Sequence, residues 1–494
     1  MNLPDAADIV VVGAGNAALT AALSASESNA QVLILEKASR SDRGGNTAIS
    51  SGMMRHSHGG KADIIKLVDE TPQCGWDGIS IPPYFAGRFY DDIMSSSKGR
   101  ADPVLARVLS EKSYETVRWM KEELGTKFVL NDALATVING VLKFEGPEAL
   151  KIKGGGIHMS NGLFEKCEVR HNVSIMYGCA VQGLLVESGK VNGVSISRNG
   201  RKEKIRAGSV ILGSGGFESS KELRERFLGS RWGMAKVRGT SNNTGETMLA
   251  AIDAGAMMYG DMAGCHATQI DARAPNYGNP GLGDSTQRYS WPYCILVNKD
   301  GMRFADEGKD FINVSYAKLA RDILMQRDAV AYQLFDGKTS GLLRDEYGSV
   351  TGITVQALDE FNGKIDVDTC QLMKTVKSFN KGAGRLGKFN SEIRDGCRTE
   401  GVEPPKSNWA QAIDTSPFTA YPVSCGITYT YGGLRIDDKA HVLRKDGTWV
   451  EGLYATGEIT GGFFYGDAYP RGTGLMRGAV FGRIAGAEAS ASFK

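Results

Sequence analysis

The chain is 494 residues long, enough for two or three domains, and its formal net charge is +2 with no long run of one sign. That balance excludes the electrostatic footprint of a nucleic-acid binder or of a protein held on an anionic membrane, and no apolar run is long enough for a transmembrane segment. Eight cysteines stand singly, without Cys-x-x-Cys or a haem-attachment motif, and the first strand begins so near the N-terminus that no signal peptide fits before it; a cytoplasmic chain with reduced thiols is expected.

The first element in the chain is a strand, Ile9 to Val12, a β-branched run of the kind buried on both faces. Gly13, Gly15 and Ala18 follow as G-x-G-x-x-A and open an Ala/Leu-rich helix through Asn16 and Ala17. Gly13 permits the tight turn, Gly15 lets the backbone approach a pyrophosphate, and Ala18 lets the helix pack on the strand, with the positive helix end facing the phosphates. A second strand, Val32 to Leu35, ends in Glu36, whose carboxylate suits the adenosine ribose hydroxyls, with Lys37 beside it. A second glycine turn, Arg43-Gly44-Gly45-Asn46-Thr47, comes only seven residues after the acid and runs on to Ser51 and Gly52. A nicotinamide domain would pass directly into a crossover helix here, so FAD is the expected cofactor.

Residues 61 to 150 read as helices and loops; Ala101 to Leu124 carries Leu105, Val108, Leu109, Val117 and Met120 at helical spacing. Gly154-Gly155-Gly156 precedes a helical stretch, Leu163 to Val169. Val173 to Met176, Ala180 to Val186 and Val191 to Ser197 predict a meander with turns at Ser188-Gly189 and Asn199-Gly200, and Ala180 and Val181 are counted toward the cofactor. Val210 to Leu212 predicts a buried strand beside the first, ending in Gly213 and the cofactor candidates Ser214, Gly215 and Gly216. Thr244 is the expected N-cap of a helix over Thr247 to Ala254.

From about residue 262 Trp, Tyr, Pro and Asn become common and ionisable groups gather: His266, Asp271, Arg273, Arg288, Arg303, Asp306, Glu307 and Asp310. This predicts an inserted mixed α/β cap that closes over the flavin, with helices at Tyr316 to Gln326 and Asp368 to Phe379. The opening style then returns: strands at Gly432 to Ile436 and Leu453 to Ala455, then Thr456-Gly457-Glu458, Arg471-Gly472-Thr473-Gly474 and an apolar helix from Leu475 to about Ala489. Its N-terminus suits the O2/N1 edge of a flavin. The fold class expected is α/β, a discontinuous Rossmann-like FAD-binding domain (1–262 and 429–494) around a capping domain (263–428).

Through GAGNAA, Glu36, RGGNTAISSG, GSGGF, NNTGE, LYATGE and GLMRGAVFGRIAG, nearly the whole chain resembles the succinate dehydrogenase/fumarate reductase flavoprotein superfamily. Within it, GCHATQIDARAP, GMRFADEGKDF, SYAK, KSNWAQAIDTSPFTAYPV and CGITYTYGGLRID look like the FAD-dependent tricarballylate dehydrogenase branch. The resemblance implies that Glu458 binds ribityl or ribose hydroxyls, that Glu246 replaces an aspartate near FAD, and that Gly474 and Leu475 meet the pyrimidine edge; Thr473 is counted with them toward the cofactor. It implies His266 and Arg471 as carboxylate ligands and Arg288 as a proton-relay arginine. Fumarate reductases have His-Thr-x-Gly-Gly where this chain has Tyr429-Thr430-Tyr431-Gly432-Gly433, and their proton-delivering arginine falls on Phe311. No histidine precedes the RGGN turn, so FAD is expected to be noncovalent.

Desaturating an acid needs a base for the Cα proton, a hydride acceptor and cationic groups for the developing charge. With the usual arginine absent, Tyr316, Tyr429 and Tyr469, or the Asp310/Tyr316 neighbourhood, become the proton carriers, while Arg303 and Glu307 read as a structural ion pair and Gly466-Asp467-Ala468 as a chance match to flavin hydroxylases. The expected function is α,β-dehydrogenation of a small polycarboxylate, tricarballylate to cis-aconitate, with hydride passing to flavin N5 and electrons on to a separate redox protein or dioxygen. The alternatives are fumarate-reductase-like reduction of an activated C=C, Δ-dehydrogenation of a ketone, and a non-enzymatic flavin scaffold. A reductase would need a separate electron donor, since no haem or iron–sulfur motif is present.

Overall fold

The computed structural model describes residues 4–310, 312–384, 387–466 and 469–493; the side chains of residues 312–316 and 492 lie outside that description. The chain opens as expected: β1 (Ala6–Val12), α1 (Asn16–Ala25) and β2 (Val32–Glu36) form a parallel unit with Ile9 opposite Val32, followed by the short helix α2 (Gly45–Ile49). α3 (Pro103–Glu122) is started by Asp102, whose carboxylate accepts from the N–H groups of Val104 and Leu105. α4 (Gly155–Val169) begins within the triple glycine, earlier than its apolar spacing predicts.

β3 (Val173–Tyr177) pairs in parallel with β2, so it extends the main sheet rather than opening the meander. The meander is β4 (Ala180–Glu187), β5 (Lys190–Arg198) and β6 (Arg201–Leu212), all antiparallel, and the end of β6 runs parallel to β1. A second sheet collects β7 (Lys236–Val237), then, after helix α5 (Glu246–Asp253), β8 (Cys265–Asp271) and β9 (Ile295–Asn298). Past α6 (Ile312–Leu324) it adds β10 (Val330–Phe335), β11 (Ile353–Val355) and, after α7 (Thr369–Gly382), β12 (Phe418–Thr430). β12 is its axis, pairing with β7, β8, β10 and β11. This sheet therefore draws strands from 236 to 430, on both sides of the boundaries at 262/263 and 428/429.

β13 (His441–Leu443) and β14 (Trp449–Ala455) complete the main sheet, β14 lying parallel to β6, and α8 (Thr473–Ala489) closes the chain. The strand expected over Gly432 to Ile436 shrinks to Gly433–Leu434, paired with Met258–Tyr259. Thr244 does not cap α5: Gly245 occupies the N-cap, and the Thr244 hydroxyl accepts from Lys37 Nζ at 2.6 Å. Among the described residues no helix is long and apolar enough to cross a membrane.

The two ends of the chain meet where α8 packs on α1. A Cβ on Gly482 would stand 2.6 Å from the carbonyl oxygen of Ala17, and one on Gly486 would run into that of Ala21. Only hydrogen at both positions lets the backbones touch. Gly482→Ala is therefore expected to cost about 1–3 kcal/mol by forcing the helices apart. Gly87→Ala, on an exposed helix with nothing within reach of the added methyl, should be neutral or slightly stabilising. Denaturant midpoints for the two variants check this; equal values would refute it.

Candidate active site

A cavity of about 550 Å³ lies between the carboxyl ends of β1, β2 and β6 and the second sheet. Gly15, Gly45, Gly245 and Gly472 line it; each is the N-cap or first residue of a helix (α1, α2, α5, α8), and none of these ends is capped by the side chain of its own N-cap residue, although Thr47 Oγ1 accepts from Asn16 N–H at 2.9 Å and the Tyr469 hydroxyl from Gly474 N–H at 2.7 Å. Uncapped N–H groups and positive helix ends converging on one space are a donor set for an anion. Gly13 is in the left-handed region (φ 98°), and a Cβ on it would come within 2.7 Å of Gly213 O, so the tips of β1 and β6 touch only through glycine. Ala18 packs against Gly213 from the other side.

At one end of the cavity Glu36 finishes β2, buried, with one oxygen accepting from Ala38 N–H at 2.7 Å; burial raises its proton affinity. Lys37 and Glu246 line the same end, paired at 2.8 Å. Asn16, Ala17, Asn46, Thr47, Ser51, Val181, Ser214, Gly215, Gly457, Gly474 and Leu475 also face the cavity. Arg43, Gly44, Gly52, Ala18, Ala180, Gly216 and Thr473 do not. The Arg43 guanidinium stacks over Phe164, Gly44 lies against Ser160 and Gly52 against Gly155, so the second glycine turn spends half its residues on packing with α4.

Glu458 also lines the cavity, accepting from Thr430 N–H at 3.0 Å, and its carboxyl interacts with that of Glu218, a residue that sequence reasoning missed. Burial raises both groups. Asn46 and Asn243 donate to Glu218 Oε1 at 2.8 and 2.7 Å. Gly216 makes room for the pair, since a Cβ there would strike Glu458 Oε1.

Three rings wall the other end. His266 on β8 is the cross-strand partner of Tyr429 on β12; their rings stack at 5.4 Å and 9°. Tyr469 packs edge-on to both, at 4.9 Å from His266 and 5.3 Å from Tyr429, and its hydroxyl accepts from Gly474 N–H at 2.7 Å. Burial, reinforced by the nearby charge of Arg238, pushes the His266 pKa down to about 3, so the imidazole is neutral. Burial raises Tyr429 and Tyr469, so both remain phenols.

Arg471 lines the cavity but is not unpartnered: Nη2 meets Glu148 Oε2 at 2.6 Å, and Glu148 Oε1 meets Arg55 at 2.7 Å. Arg471, Tyr469 and Leu134 also line a second, polar cavity of about 720 Å³ with Arg55, Asp92 and Glu148. Arg288 stands away from the site. It is fully buried beneath β8, held by Asp271 at 3.0 Å and by the carbonyls of Ser285 and Gln287, which makes it a structural cation and not a proton relay at the cavity. The Tyr316 side chain, Phe311 and Asp467-Ala468 lie outside the described residues. Arg303 and Glu307 form a buried pair at 2.6 Å, in keeping with a structural role. Sequence reading also missed Arg238, Arg344 and Arg477, which line the cavity. Arg477 is buried on α8, donates to Thr460 O at 3.1 Å and lies over Phe464 at 5.0 Å; its place in GLMRGAVFGRIAG was the available signal.

A family model described as "FAD binding domain" matches residues 8–75 and 86–474. The fumarate reductase (cytochrome) of Shewanella frigidimarina is 27% identical over 491 residues, covering 98% of this chain and 77% of that protein. Among solved structures, the open conformation of a flavocytochrome c3 fumarate reductase matches with a TM-score of 0.77 at 24% identity, covering 99% of this chain and 78% of that one. The 3-ketosteroid delta1-dehydrogenase from Sterolibacterium denitrificans, in complex with 1,4-androstadiene-3,17-dione, matches with 0.72 at 20% identity, covering 99% and 100%. At these identities the two structures establish the shared fold.

The buried histidines make a pH prediction. His56, buried against Tyr114 and bonded to Met54 O at 3.0 Å, is pushed down to about 4 by burial, as His266 is to about 3. Both titrate near 6.5 when unfolded. As pH falls below 6.5 the unfolded chain takes up these protons while the folded one does not, so stability is lost through that window. The histidine contribution lowers the thermal midpoint between pH 7 and pH 5, against the opposite contribution of the buried carboxyls Glu36, Glu218 and Glu458, so the test is the difference between proteins: the midpoint of His56→Gln should fall less, relative to wild type, over that range, and an unchanged difference would mean that folded His56 is charged.

Proposed function

The chain belongs to the FAD binding domain family and to the fumarate reductase/succinate dehydrogenase flavoprotein superfamily, and from that premise we propose that it reduces an activated carbon–carbon double bond in a small unsaturated carboxylic acid. It is an FAD-dependent oxidoreductase acting on CH–CH groups. The relative aligned over 98% of the chain is named a fumarate reductase, which supports the reductive direction ahead of tricarballylate oxidation. Bound FAD would supply the electron pair of this reduction, as a hydride for the β-carbon of the substrate.

The uncapped ends of α1 and α8 and the Glu36 carboxylate fit the pyrophosphate, the pyrimidine edge and the ribose of that cofactor, and the Glu218–Glu458 pair offers both a donor and an acceptor to a ribityl hydroxyl. With no histidine before the RGGN turn, the flavin is held noncovalently. Electrons reach it from a separate redox protein.

The observation that carries the direction is the His266–Tyr429–Tyr469 wall. A carbanion next to a carboxylate is far more basic than a phenolate, so a phenol kept protonated by burial still delivers its proton to Cα. Tyr469 is the better donor, because Gly474 N–H already points at its oxygen and stabilises the phenolate left behind. His266 donates an uncharged N–H to the substrate, and Arg471 turns part of its hydrogen bonding from Glu148 to a substrate carboxylate.

Dehydrogenation of tricarballylate to cis-aconitate is the second reading, supported by GCHATQIDARAP and by Tyr429 where fumarate reductases carry histidine. Anaerobic mixing separates the two. Chemically reduced enzyme should be reoxidised by fumarate or a related unsaturated acid, whereas bleaching of the oxidised flavin by tricarballylate would favour the second reading. No response in either direction would leave a flavin scaffold. Tyr469→Phe should slow the proton-coupled step by about 10²- to 10⁴-fold at unchanged flavin content; wild-type turnover in that variant would remove Tyr469 as the donor.

A further inference from the structure

We propose that the second, polar cavity is the proton inlet of this enzyme: solvent protons reach Tyr469 through it from the side of the FAD-binding domain, with Glu148 as the carrying carboxyl. The proposal rests on the reading of Tyr469 as the proton donor to an unsaturated acid, and it adds the route by which that phenol is recharged.

This cavity of about 720 Å³ shares Leu134, Tyr469 and Arg471 with the active-site cavity, so the tyrosine that faces the substrate on one side faces the second cavity on the other. Its mouth carries the exposed residues Arg88, Glu145 and Glu392. From there a row of bonded polar groups leads inward. Arg88 Nε stands 3.3 Å from Asp92 Oδ1, and Asp92 Oδ2 accepts from the Tyr84 hydroxyl at 2.8 Å and from Arg55 Nη1 at 3.1 Å. Arg55 Nη2 donates to Glu148 Oε1 at 2.7 Å, and Glu148 Oε2 accepts from Arg471 Nη2 at 2.6 Å. Side-chain exposure falls from 74% at Arg88 through 28% at Asp92 to 14% at Glu148. A polar space of this size, lined by such groups, admits water, which completes the path where side chains do not touch.

Reducing a double bond consumes a proton besides the hydride. The Tyr469 O–H bond breaks as the Cα–H bond forms, and the phenolate left behind cannot serve the next turnover. Its ring neighbours on the active-site side, neutral His266 and the phenol Tyr429, are no better acids than the group just spent. On the other side stands a carboxyl group. Once Arg471 turns to a substrate carboxylate, Glu148 Oε2 loses that donor and can take up a solvent proton. The proton then passes through water to the Tyr469 oxygen: the Glu148 O–H bond breaks, the phenol O–H bond forms, and the carboxylate is recharged from the mouth. No electrons move in this step. Burial raises the Tyr469 phenol, and the charge of Arg55 is among the influences opposing it, so the waiting phenolate is stabilised from the side the proton comes from. Arg55 also donates from Nε to Arg471 O at 2.9 Å and from its N–H to Gly472 O at 3.2 Å, which fixes the turn that carries Arg471. Arg55 is therefore a positioning residue.

The test compares one turnover with many. Chemically reduced, FAD-loaded enzyme is mixed anaerobically with fumarate or a related unsaturated acid for the first, and a reduced viologen dye sustains the second. In Glu148→Gln the first reoxidation spends a proton that Tyr469 already carries, so sustained turnover should fall by about 10²-fold, with little change in KM, while the single turnover slows far less. Imidazole, small enough to enter the second cavity and a proton donor near neutral pH, should restore sustained turnover of Glu148→Gln in proportion to its concentration and leave wild type unmoved. Glu148→Asp should recover part of the loss. Flavin content reports that each variant is folded. If the ratio of the two rates in Glu148→Gln matches wild type, or if imidazole does not rescue it, Glu148 carries no proton; the proposal then falls and the acid-reduction reading stands. If no unsaturated acid reoxidises the reduced wild-type enzyme, that reading falls and takes the proposal with it.

Discussion

Gly482 and Gly486 let α8 approach α1 until no methyl group fits between them, and the rest of the site depends on that contact. It joins segments from opposite ends of the chain, and Asn16 Nδ2 seals it by donating to Leu475 O at 2.7 Å. Two uncapped helix ends are thereby brought to one cavity: the end of α1, suited to phosphate, and the end of α8, suited to a flavin edge. Thr47 and Tyr469 each satisfy one N–H at these ends, and the remaining N–H groups face the cavity. The close packing commits both to a site that an anionic cofactor completes.

The second theme is how charge is kept in reserve. The reacting end is walled by neutral groups, a deprotonated imidazole and two phenols, because burial penalises any ion there. The cations stand one layer back, each with a protein carboxylate: Arg471 with Glu148, Arg238 with Asp284. Burial raises the proton affinity of Glu218 and Glu458, which disfavours a double negative charge there.

What was legible in the sequence follows the range of the interactions concerned. The β1–α1–β2 unit and Glu36 could be read because each signal lies within a few residues of the next, and α3 because its cap and apolar spacing are local. β3 was read into the meander because periodicity identifies a strand but not its partner, and its partner, β2, lies more than a hundred residues earlier. Arg288 looked available in the sequence; only the fold shows that Asp271 has captured it. Arg238 and Glu218 were missed for the converse reason. Nothing in their neighbours marks them, and each becomes part of the site through pairing with distant residues, Arg238 beside Thr428 and Glu218 against Glu458.

β12 runs unbroken for thirteen residues through the centre of the cap sheet and ends at Thr430, whose N–H is bound to Glu458. His266 and Tyr429 ride on this sheet as neighbours, while Tyr469 is tied by its hydroxyl to the first turn of α8. The three-ring wall is thus assembled from both halves of the molecule. The spacing between the cap sheet and the first turn of α8 therefore sets how the rings meet, and a change that shifts β12 would draw two rings off the third.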